Sequence, residues 1–257
     1  MLGKENIYID PDQGEKNSLY KALDIRAEEL TSITGAGGKT TCLYRLGKEL
    51  KDNRVLLTTT TKMKYPEGNE VDNIKVAPQM EEIVLGTGRT FVCGKLSGKG
   101  KCTSIAPEIL SRWWRKYDYT IVEADGSCGF PLKGYKIDEP CIPAEAACNI
   151  GIVTLKGLGF PADERTVFRL ERFCEMVGIR KGEIIKEIHL ARWIVHPCGM
   201  WKGGLGRRIL FFNQVESRDE MGRVKDVMGY FPMEFMSETN RIVAGSMRDE
   251  KYEVLRK

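Results

Sequence analysis

The ten residues SITGAGGKTT, positions 32–41, constrain this chain more than any other stretch. Three glycines precede a lysine and two threonines. A plain turn needs one glycine, whereas a loop that wraps its backbone N–H groups around a polyanion needs several. Upstream, LTSIT (30–34) reads as a strand. Downstream, a helix is expected from Thr40 to about Asp52, with Leu43, Leu46 and Leu50 on one apolar stripe. A second β-branched run, RVLLTTT (54–60), then completes a βαβ unit, which commits the chain to parallel strands.

The same alternation continues along the 257 residues and predicts an α/β protein with a P-loop NTPase-like three-layer fold, a mostly parallel sheet flanked by helices. Further strands are expected at TFVCG (90–94), YTIVEAD (119–125), IGIVTL (150–155), RILFFN (208–213) and RIVAGS (241–246). Helices are expected at 77–86, 106–117, 169–178, 183–195 and 217–229. No shift in composition marks a boundary, so residues 1–257 read as one nucleotide-binding domain, with a polar leader over 1–17.

Composition excludes several function classes. The net charge of +4, from 40 basic and 36 acidic residues without a long block of one sign, gives no footprint for nucleic acid or a membrane surface. No apolar run approaches a membrane span, and the N-terminus lacks the apolar core of a signal peptide. The eight cysteines are dispersed without C-x-x-C spacing, and there are only two histidines, which argues against a structural zinc site. A cytoplasmic protein with reduced thiols is expected.

Placed between a strand and a helix, the glycine loop reads as a phosphate cradle. Backbone N–H groups of Gly35, Ala36, Gly37, Gly38, Lys39 and Thr40 would surround the β-phosphate of ATP or GTP, and Thr41 is a further candidate for holding the nucleotide. Lys39 would neutralise β and γ oxygens, and the Thr40 hydroxyl would ligate Mg²⁺. Ile33 stands where the usual motif begins with glycine, so the effective motif is the shorter G-x-x-G-K-T-T. Glu123 and Asp125 close an apolar strand, and alternation puts them on one side of an extended chain. One could hold the metal while the other orients the attacking group, with Gly126 allowing close approach of the γ-phosphate. Lys62, after a threonine run, is a candidate partner of substrate or γ-phosphate. Asn213, Gln214 and Glu216 resemble an N-K-x-D base-reading motif, with Gln for Lys and Glu for Asp.

The motifs SITGAGGKTT, LLTTTTKM, VEADGS followed by PLKGY and DEP, and FFNQVE occur in the order found in the YqeC family, accessory proteins of selenium-dependent molybdenum hydroxylases. The resemblance spans roughly residues 18–246. It implies a P-loop nucleotide-binding protein, a Mg²⁺-dependent NTPase acting in selenium or molybdenum cofactor maturation, with the hydroxylase apoprotein or other maturation proteins as partners. It places Thr59, Lys62, Lys133 and Glu139 around the substrate. The chain departs from the family pattern at Phe168, where a histidine is expected, and at Gln214 and Glu216. The E-x-x-G run from Glu123 to Gly126 also resembles metallocentre accessory GTPases. Three other readings stay open: a Mur-like ATP-dependent ligase, a nucleotide-gated scaffold without turnover, and a selenium carrier using a thiol such as Cys128.

Overall fold

The computed structural model describes residues 17–98 and 100–257, so the polar leader lies outside it except for Asn17. In chain order the elements are α1 (Leu19–Ala22), β1 (Leu30–Gly35), α2 (Lys39–Glu49), β2 (Arg54–Thr59), β3 (Met63–Lys64), β4 (Asn73–Val76) and β5 (Gly88–Cys93). There follow β6 (Leu96–Ser97), β7 (Lys101–Cys102), α3 (Pro107–Trp113), β8 (Tyr119–Glu123), β9 (Leu132–Lys133), β10 (Ala146–Thr154) and β11 (Val167–Phe168). The chain ends with α4 (Leu170–Val177), α5 (Glu187–Val195), β12 (Arg207–Asn213), α6 (Arg218–Met228), α7 (Met233–Glu238), β13 (Thr239–Ser246) and β14 (Lys251–Arg256).

Nine strands form one sheet in the order β14-β13-β12-β10-β1-β8-β2-β5-β4. Every pairing in it is parallel except β13 with β14 at one edge. Parallel strands are covered on both faces, which is why the central strands read as continuous apolar runs. On one face Ile33, Ile150, Ile209 and Phe211 pack with Leu43, Leu46 and Leu50, the stripe of α2. On the other, Leu210, Phe212 and Val153 meet α4 to α7, while Leu30, Leu56 and Val122 meet Ile109 and Trp113 of α3. The result is the three-layer architecture with β1 at its centre.

One expected helix does not form. Residues 77–86, expected to be helical, are irregular, with a single turn at 80–81. Ala77 sits at φ 46, in the left-handed region, and only Met80 and Ile83 of the segment pack against the core beneath α3. A short segment without a buried stripe does not recover the cost of helix nucleation.

Candidate functional site

β1 lies between β10 and β8, so its glycine-rich end is flanked by the carboxyl ends of both. This close fit accounts for two of the glycines. Gly35 has φ 93, and a Cβ there would lie 2.1 Å from the Ile152 carbonyl oxygen of β10. Gly38 has φ 120, and its Cβ would meet the Asn213 amide at 2.6 Å. The loop is thus pressed onto neighbouring strand ends as well as shaped for a ligand. Gly38→Ala should lower stability by about 1–3 kcal/mol. The loss should be non-additive with Asn213→Ala in a double-mutant cycle of melting temperatures, because the two changes act on one contact.

Lys39 and Thr40 open α2 at the carboxyl end of the sheet. The Thr40 hydroxyl donates to Glu123 Oε2 at 2.7 Å. Lys39 Nζ lies 3.1 Å from Asp125 Oδ1, an ion-pair contact without hydrogen-bond geometry. It donates to the Gly35 carbonyl at 2.7 Å and to Ser127 Oγ at 3.2 Å. Lys39 is 4% exposed and Asp125 0%. Asp125 Oδ2 also accepts from the Gly35 N–H at 3.2 Å and from Lys133 Nζ at 3.2 Å. Burial pushes the Glu123 carboxyl up, against the opposing pull of the Lys39 charge and the Thr40 hydroxyl.

The two expected carboxylates are therefore both brought to the loop, each with its own partner. β8 ends at Glu123, which accepts from Thr40, and two residues on Asp125 lies between the ammonium groups of Lys39 and Lys133.

The long segment between β8 and β10 folds back through β9, which pairs with β11 in parallel. This brings a second layer of charge under Asp125. Lys133, fully buried, bonds Glu139 Oε2 at 3.1 Å and the Gly126 carbonyl at 2.8 Å. Its ammonium stands 4.3 Å from the centre of the Tyr135 ring. Arg169 clamps Glu139 with two bonds of 2.5 and 2.8 Å and lies over the Phe168 ring. Arg169 adopts φ 61 just before α4, a conformation that no local sequence signal announced. The Tyr135 hydroxyl is buried beside Asp125, and burial together with the Asp125 charge pushes its phenol well above the usual range. Phe168, at the position where the family resemblance predicts histidine, stacks on Phe130 at 5.9 Å. Ser127, Tyr135 and Arg169 are the members of this cluster that sequence reasoning missed; only Ser127, two residues beyond Asp125, had a positional clue.

From the other side, Asn213 at the end of β12 donates to the Gly37 carbonyl at 2.7 Å and accepts from the Met247 N–H at 3.3 Å. Gln214 takes φ 64 and accepts from Thr154 Oγ1 at 2.7 Å. Glu216 is held by Ser246 at 3.2 Å and by Arg248 at 2.7 Å. Asn213 thus joins the loop directly, and Glu216 stands one shell away in an ion pair. Lys62 is exposed beyond β2, Thr41 is exposed on α2, and Gly126 is half-buried. Cys128 is exposed beside Ser127, whereas burial pushes the Cys148 thiol up to about 12.

Among the described residues no group of three or more His, Cys, Asp or Glu side chains could hold a metal ion unaided. None of their helices is long and apolar enough to cross a membrane.

A central strand running into a glycine loop and helix, with a carboxylate strand beside it, defines a three-layer α/β protein of P-loop-like fold. The chain belongs to the YqeC family: the family model described as "YqeC protein" matches residues 31–171. It is 30% identical over 204 residues to "Uncharacterized protein YqeC" of Escherichia coli (strain K12), covering 75% of this chain and 79% of that protein. No solved structure matches the chain.

Proposed function

We propose that the loop from Gly35 to Thr41 binds a Mg²⁺-nucleoside triphosphate, ATP or GTP, and that the protein is an NTPase serving the maturation of a selenium-dependent molybdenum hydroxylase. The observation that carries the nucleotide reading is the pairing of Thr40 with Glu123 and of Lys39 with Asp125 at the carboxyl end of the sheet, where ligands of such folds bind. The hydroxylase role rests on the motifs of the family.

The residues fit a magnesium ion. Thr40 and Glu123 offer adjacent oxygens, the donors that Mg²⁺ takes, and the Glu123 carboxyl is buried where a cation would favour its charged form. Phosphate oxygens and water would supply the remaining ligands. When bound, the ion neutralises charge on the transferring phosphoryl group. Lys39 turns from Asp125 to the phosphates; Asp125, still held by Lys133, positions the attacking group beside Ser127.

Phosphate release with Mg²⁺ and nucleotide, with and without the hydroxylase apoprotein, tests the proposal. Stimulation by the apoprotein supports it, and bound nucleotide with no turnover in either case leaves the scaffold reading. Positional isotope exchange would instead reveal an acyl-phosphate and hence a ligase.

Base choice gives a further prediction. A carboxylate can accept from both N1–H and the exocyclic amine of guanine, a pair that adenine cannot offer. Glu216 is committed to Arg248, which must yield before the carboxylate can read a base. Both nucleotides should bind, with GTP preferred about tenfold, ~1.4 kcal/mol. Glu216→Gln should remove the preference; competition titrations showing unaltered selectivity would make the Asn213–Glu216 run a strand end only.

A further inference from the structure

β3, β7 and β6 form a three-stranded antiparallel sheet that rises from the carboxyl ends of β2 and β5. Its register sets Met63, Cys102 and Leu96 in one row and Lys64, Lys101 and Ser97 in the next. Cross-strand neighbours share a face, and alternate residues along a strand return to it. Lys62, Thr103 and Lys95 therefore fall on the same face as Lys64 and Lys101, and the Thr103 N–H to Lys95 carbonyl bond of 3.0 Å continues the register to that row. All four lysines are exposed. Met63 and Cys102, on the opposite face, are buried.

The uncompensated charge on this face calls for an anion. Lys64 and Lys101 stand directly opposite one another, an arrangement of like charges that destabilises a sheet. Lys64 has an exposed partner in Glu67 at 3.1 Å, but Lys62, Lys95 and Lys101 form no ion pair among the described residues.

The sheet is fixed against the candidate site. The Thr60 N–H and Thr59 hydroxyl bond the Glu123 carbonyl at 3.1 and 3.0 Å, and the Ile105 N–H bonds the Thr59 carbonyl at 3.0 Å. Gly94 packs so closely that a Cβ would lie 2.3 Å from the Ser104 carbonyl oxygen. The row nearest Glu123 carries Lys62 and Lys95 two strand spacings apart, about 10 Å.

We propose that this lysine face binds a second substrate, a small polyanion bearing two or more phosphate or carboxylate groups, with one end beside Glu123. The proposal deepens the nucleotide reading and rests on it for where the γ-phosphate lies. Protein loaded with a non-hydrolysable Mg²⁺-nucleotide, so that the glycine loop is filled, would be titrated by calorimetry with 2,3-bisphosphoglycerate and, separately, with propane-1,2,3-tricarboxylate. At least one should bind at millimolar concentration, weaken with added salt, and lose about tenfold in affinity in Lys95→Ala and in Lys101→Ala. The arm that binds distinguishes phosphate from carboxylate. Bound nucleotide with neither anion bound, or anion binding indifferent to both substitutions, overturns the proposal and leaves the nucleotide reading standing. A decameric glutamate peptide that binds through these lysines when neither small anion does also overturns it, in favour of a docking surface. If nucleotide itself fails to bind, the nucleotide reading falls, and lysine-dependent anion binding by the free protein still supports the face.

Discussion

Lys39→Ala is expected to weaken Mg²⁺-nucleotide binding about a hundredfold or more, ~2.7 kcal/mol, because a charge-assisted contact to phosphate is lost. Sequence alone suggests that this change would leave the fold untouched, with the ammonium facing only a ligand. The structure corrects that expectation. Lys39 is 4% exposed and ion-paired with a fully buried Asp125, and removing one partner of a buried pair costs about 3–5 kcal/mol. Asp125 keeps Lys133 and the Gly35 N–H, so a loss near the low end, about 3 kcal/mol, is expected in denaturant titration. Lys39→Met, which retains the buried stem, should recover part of the stability and none of the affinity. Unchanged nucleotide affinity in both variants would refute the phosphate-loop assignment.

Asp125→Asn should separate binding from turnover in the opposite sense. Its carboxylate now holds the Lys39 ammonium and the Gly35 N–H, two groups that a phosphate would claim. A neutral side chain competes less, so nucleotide affinity should rise about tenfold. Turnover should fall about 10²–10³-fold, since the charge that positions the attacking group is gone. The net charge is restored in Asp125→Asn/Lys133→Met, which leaves Glu139 with Arg169 and should show the same gain in affinity. Fluorescent-nucleotide titration and single-turnover phosphate release measure the two effects. Weaker binding in both variants would mean that Asp125 supports the ligand directly.

The amino-acid sequence determined the layers and the local parts of the site. Period and β-branching located the central strands, the leucine stripe located α2, and the glycines located the loop, because each is a signal carried within a dozen neighbouring residues. Lys39 and Thr40 at the start of α2, and Glu123 at the end of β8, followed from those elements. Tertiary structure alone decided who meets whom. Thr40 finds Glu123 across 83 positions, and Asn213 finds the Gly37 carbonyl across 176, because strand order sets β8 next to β1 and sends β12 to the far side of β10. The chain of charges Lys39–Asp125–Lys133–Glu139–Arg169, buried as far as Lys133, has no period to read. It exists because β9 pairs with β11, two segments that the sequence presents only as loops, and because Arg169 takes a left-handed conformation before α4. Local propensity acts over a few residues, whereas a buried charge is stable only where the whole chain delivers its partner.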